Sequence, residues 1–123
     1  MSNKGIQMIK QQTYKDRIAK VFKELDKQKI KGEQDFWCCQ TCGSNAMLDY
    51  EEDYDGFVFY HNQDTDTLKS DGYTHLSFGS FRDVYVVDIA HKIVKAFQDE
   101  GIKVVWNGDV NTRIMIEFKG KTK

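Results

Sequence analysis

The 123-residue chain contains no proline. At the average usage of about 5% roughly six would be present. No turn, helix start or cis peptide here depends on one. A thiol site of the thioredoxin kind, which sets a cis-proline opposite its cysteines, is excluded. Apolar runs are short, and none approaches the roughly 18–20 residues needed to cross a bilayer as a helix. Residues 1–10 lack the apolar core of a signal peptide. The expected setting is the cytoplasm, without membrane contact.

Cysteine is scarce and odd in number, at three. Disulfides within one chain cannot take up all of them, and a ring between the adjacent Cys38 and Cys39 would be strained. In a reducing compartment the options are free thiols, a metal site or a redox pair. No glycine-rich phosphate loop is present. The chain has three arginines and a net charge of −1, too little positive excess for a phosphate-binding surface, so nucleic acid is not an expected partner.

The charge is nevertheless uneven. Residues 1–31 carry nine Lys/Arg against three Asp/Glu, residues 32–72 one against ten, and residues 73–123 eight against six. The acidic middle contains the segment Asp49–Asp55, a candidate surface for a protein partner. The length fits one domain, 1–123, with residues 1–12 expected to fray.

Apolar spacing predicts two long helices. Tyr14, Ile18, Val21, Phe22 and Leu25 form one stripe, giving a helix over 13–30 with Gly32 as its stop. Val86, Ala90, Ile93, Val94 and Phe97 form another, over 83–100, closed by Gly101. Helical turns over 45–50 and a short helix capped by Asp64 or Thr65 are also expected. Strands are predicted over 36–39, 57–62 and 74–78, and a hairpin pairs Ile102, Val104 and Trp106 with Ile114, Ile116 and Phe118. The sum is an α+β fold, a mostly antiparallel sheet of four to five strands with both main helices on one face.

The segment Phe36-Trp37-Cys38-Cys39-Gln40-Thr41-Cys42-Gly43 is the most specific stretch. Two cysteines separated by two residues and followed by glycine have the form of a zinc knuckle. A structural zinc takes four ligands and no second such pair exists. Cys39, Cys42 and His61 are therefore the candidate ligands, with Cys38 or His75 as a possible fourth. Alternatively Cys39 and Cys42 form a redox pair or sensor with His61, or the thiols are small packed hydrophobes without a ligand. His61 with Asp64 has the makings of a base and its orienter, but no nucleophile is near in sequence. Arg113 with Trp106 could bind an anion, although a surface ion pair of little energetic worth is the plainer expectation. His91 reads as an exposed helix residue.

Together with Gly56-Phe57-Val58-Phe59-Tyr60-His61-Asn62-Gln63-Asp64-Thr65, and with Gly101-Ile102-Lys103-Val104-Val105-Trp106-Asn107-Gly108 followed by Arg113-Ile114, the cysteine segment resembles a family of uncharacterised bacterial proteins, a domain of unknown function. The resemblance covers about two thirds of the chain and implies no activity, substrate or partner. The expected role is a small non-catalytic interaction or ligand-binding module, monomer or homodimer, with a structural metal at the cysteine turn. The alternative is a thiol sensor or enzyme centred on Cys39, Cys42 and His61.

Overall fold

Two apolar clusters, one on each face of a central sheet, organise the molecule. In the computed structural model, which describes residues 2–81 and 84–118 with side chains from residue 14 onward, ten elements follow one another. They are α1 (Ser2–Lys27), β1 (Ile30–Glu33), α2 (Gln40–Met47), a 3-10 turn (Leu48–Tyr50), β2 (Gly56–Phe59), α3 (Asn62–Asp71), β3 (Tyr73–Ser80), α4 (Val86–Asp99), β4 (Lys103–Val105) and β5 (Ile114–Glu117). The strands form one sheet in the order β1-β2-β3-β5-β4. β1 and β2 are parallel and the remaining pairs are antiparallel. The fold is α+β with a five-stranded mixed sheet.

β2 is buried at every position, so it is covered on both faces. Val58 and the following Tyr60 join Leu76, Ile114 and Ile116 beneath Ile18, Val21, Phe22 and Leu25 of α1 and Ile89, Ile93 and Phe97 of α4. Both long helices therefore lie on one face. Phe57 and Phe59 point the other way and meet Met47 and Phe81, with Phe36, Tyr50 and Tyr54 packed alongside. This second, smaller core is what carries the cysteine segment. Among the described residues, no helix is long and apolar enough to cross a membrane.

Several boundaries differ from the sequence expectation. α1 stops at Lys27, not Ile30, because Lys29 turns into the left-handed region at φ 69°. Ile30 then starts an edge strand, and Gly32 lies within it against the Phe22 ring rather than ending the helix. Residues 36–39 form a turn instead of a strand, and the helical turns predicted over 45–50 begin earlier, at Gln40. The start expected for α4 at Asp83 lies outside the described residues. Its end is as predicted, with Gly101 at φ 81°, a conformation that favours glycine.

The acidic segment Asp49–Asp55 follows α2 directly and is tied back to the basic head. Tyr54 donates to Asp26 at 2.5 Å, which helps push the Tyr54 phenol up to about 12. The Lys31 ammonium sits 4.7 Å from the Tyr50 ring centre, within cation–π range.

Candidate metal centre

Beyond β1 the chain continues alongside the end of β2. Phe36 donates its amide to the Tyr60 carbonyl at 2.9 Å, and Asn62 donates to the Trp37 carbonyl at 3.0 Å. Two left-handed residues, Asp35 at φ 54° and Trp37 at φ 66°, make the path irregular. Asp35 tolerates that conformation, whereas a bulky Trp37 is strained in it. The loop holds because Asp35 accepts hydrogen bonds from Thr65 at 2.7 Å and Asn62 at 2.8 Å. These donors keep the Asp35 carboxyl below its ordinary value of 3.8. Phe36 turns inward to within 5.7 Å of the Phe59 ring, while Trp37 is left 53% exposed.

The loop delivers Cys39 to the N-cap of α2 in extended conformation, and its carbonyl accepts the Gly43 amide at 3.0 Å. Gly43 is buried against Phe59. An added Cβ there would stand 2.4 Å from the Phe59 ring. Its requirement is close approach of helix to sheet. With α2 seated in this way, the sulfurs of Cys38, Cys39 and Cys42 lie within 4.8 Å of one another. Cys38 is exposed and the other two are partly so. They are not packed hydrophobes. Cys38, expected only as a spare ligand, is a full member of the group.

The three thiols are not equivalent. The Cys42 backbone N–H faces the Cys39 sulfur and, with the Cys42 thiol, favours its thiolate, which pulls Cys39 below the ordinary thiol value of 9.0. Its neighbours Cys39 and Cys38 favour the protonated form of Cys42 and push that thiol up to about 11. A divalent ion would displace the protons of all three, because the thiolate is the ligand.

His61, the third ligand expected from sequence, is buried at the N-cap of α3 but is not in the sulfur group. Its Nε2 lies 3.3 Å from Oδ2 of Asp64. The same carboxylate accepts the His61 amide at 3.1 Å and a short hydrogen bond from Nη2 of Arg113. Arg113 also donates to the His75 carbonyl at 2.6 Å. The sequence reading of Arg113 as a surface pair is thus overturned, since its partner is a carboxylate only 10% exposed. Among the described residues, three buried side-chain atoms have no hydrogen-bond partner: Nδ1 of His61, Oγ of Ser77 and Nε of Arg113.

His75 does not join the thiols. Its ring stands edge-on to Tyr73 at 5.9 Å. Burial, reinforced by the Arg113 charge, holds His75 below its ordinary 6.5. The native state therefore binds fewer protons than the unfolded chain in that range, and stability should fall as pH drops through about 6.5. His75→Gln should remove part of that loss. Urea midpoints for both proteins at pH 7.5 and 5.5 check it, and equal pH slopes would refute it. His91 is exposed, as expected, with its ring near Trp106. Trp106 donates within the hairpin to Asp109 and Thr112 and binds its own loop rather than an anion.

A family model described as "Domain of unknown function (DUF6891)" matches residues 7–122. No curated protein and no solved structure matches the chain.

Proposed function

The chain belongs to the DUF6891 family, a domain of unknown function, and from that premise we propose that it is a small non-catalytic binding module holding one soft metal ion on Cys38, Cys39 and Cys42. The observation that carries this reading is the mutual approach of the three sulfurs to within 4.8 Å. A zinc–sulfur bond of about 2.3 Å puts sulfurs roughly 3.8 Å apart in a tetrahedron, so the cluster needs only a small contraction. Thiolate donors select zinc or copper(I) over magnesium or calcium. Zinc is the ion proposed first.

The ion would act on the rest of the molecule through α2. That helix starts at the thiols and ends in the 3-10 turn leading to Asp49–Asp55. Fixing its first turn steadies the acidic segment, which we propose as the face for a basic protein partner. Leu48, at the junction and 53% exposed, would add an apolar contact.

Metal analysis and thiol titration test the site. The expected result is one zinc per chain, three thiols slow to react until a chelator is added, and zinc affinity reduced at least about 100-fold in Cys39→Ser or Cys42→Ser. Three thiols that titrate at once, in protein that takes up no added zinc, would remove the proposal.

A second reading, reversible oxidation, is favoured by the approach of the Cys39 and Cys42 sulfurs to within 4.8 Å. A hydroperoxide would accept two electrons, the Cys39 and Cys42 sulfurs would join, and the two thiol protons would leave with the reduced oxygens as alcohol and water. A mass loss of about 2 Da, restored by a dithiol and absent from Cys42→Ser, is the signature of that pairing.

A further inference from the structure

We infer that His61, through Nδ1, is the fourth ligand of the ion proposed for the three thiols. The inference rests on that metal reading and adds to it a ligand, a geometry and a supporting chain of side chains.

Three thiolates leave one position of a zinc tetrahedron open. An imidazole nitrogen suited to it stands at the adjoining strand end. The His61 side chain is nine-tenths buried, and although it approaches the Asp64 amide as a capping box does, its Nδ1 makes no hydrogen bond of full geometry. Leaving a buried polar atom unmatched is costly, so this nitrogen is better explained with a partner than without one. Its other nitrogen faces a carboxylate. Nε2 lies 3.3 Å from the Asp64 carboxylate, a contact that favours the proton on Nε2 and the lone pair on Nδ1. Histidines that ligate zinc are characteristically held this way, with the far nitrogen donating to a carboxylate that is itself fixed. Here Asp64 is fixed by Arg113 through its carboxylate and by Thr74, which donates to its carbonyl at 2.9 Å.

The backbone brings the two halves together. The Asn62 amide bonds the Trp37 carbonyl, so His61 and Cys38 are each one residue from the same hydrogen bond. Asp35 adds side-chain bonds to Asn62 and Thr65. His61 is outside the 4.8 Å sulfur group. Binding therefore draws the cysteine turn toward the histidine. The movable side of the joint is the exposed one, since Cys38 is at the surface and Trp37 is in a strained backbone conformation. Three thiolates, one neutral imidazole and a dication leave a single negative charge, which the partly exposed turn opens to solvent.

Nitrogen-15 NMR of the histidine-labelled full chain tests this directly. On addition of one equivalent of zinc, the Nδ1 resonance of His61 should move to a metal-bound position, while those of His75 and His91 stay. Cobalt(II) gives a second readout. Wild type should show tetrahedral ligand-field bands with thiolate charge transfer. His61→Asn should keep the charge transfer, shift the ligand-field bands and bind about 10- to 100-fold more weakly, the range seen when metal-site support is lost. If zinc binds but the His61 resonance and the His61→Asn affinity are unmoved, the fourth ligand is wrong and the thiol site stands. If wild type binds neither ion, both fall. Should His61→Asn fail to fold, the wild-type NMR still decides.

Discussion

Asp64→Asn should cost about 3 kcal/mol of folding stability, the largest loss expected from a one-residue change that leaves volume almost unaltered. The carboxylate is one-tenth exposed and receives the His61 amide and the Arg113 guanidinium, with Nε2 of His61 beside it. An amide carries no charge and turns an NH2 group toward one of these donors. Breaking a buried pair on one side generally costs about 3–5 kcal/mol, because the remaining charge is left uncompensated. Arg113 is 27% exposed, so water can reach part of it and the lower end applies. Urea unfolding measures the change. Asp64→Asn combined with Arg113→Gln should recover a good part of it, since the stranded cation is then gone. A single-variant loss below about 1 kcal/mol would mean that the pair is solvated and is not the anchor described.

Gly43→Ala should destabilise the protein by about 1–3 kcal/mol, the usual cost of forcing a methyl into a filled core. At an open helix position the same change is favourable by about 1 kcal/mol. The two physical accounts of this glycine therefore predict opposite signs. The Cβ would meet the Phe59 ring at 2.4 Å, and α2 must tilt or the ring must move. Because α2 holds Cys39 and Cys42, the sulfur cluster should open and zinc affinity should fall along with stability. Pairing Gly43→Ala with Phe59→Leu makes room for the methyl and should recover part of both. A more stable Gly43→Ala protein with unchanged metal affinity would show that α2 does not sit on Phe59 as described.

The long helices were legible because their signal is repeated. Ile18, Val21, Phe22 and Leu25 all fall on one stripe and are all buried, and a single exception would not have hidden the pattern. The terminal hairpin was legible for a similar reason, through the alternation of Ile114 and Ile116 with half-buried neighbours. β1 was missed because it is short and includes Gly32. Its residues 30–33 extend the run of the first helix, and only the left-handed Lys29 separates them. The strand expected over 36–39 failed for the opposite reason. Aromatic and thiol side chains favour strands on average, but two left-handed residues, held by bonds to Tyr60 and Asn62, bend that stretch into a turn.

The candidate site was half visible. The Cys39–Cys42 spacing marked a place where two sulfurs meet, and His61 beside Asp64 marked a polar strand end. Neither pattern contains the Arg113–Asp64 pair, whose members are 49 residues apart, or the inclusion of Cys38 among the sulfurs.

From the order of residues alone came whatever repeats at short range: helix stripes, strand alternation, and two thiols at one turn of spacing. Folding in three dimensions decided the rest. It packed α2 on Phe59, made three sulfurs neighbours, buried a carboxylate under an arginine, and left one buried imidazole nitrogen unmatched. Local patterns fix which way a side chain points from its own element, whereas its partner is set by which elements cross, and that depends on how two apolar faces are filled at once.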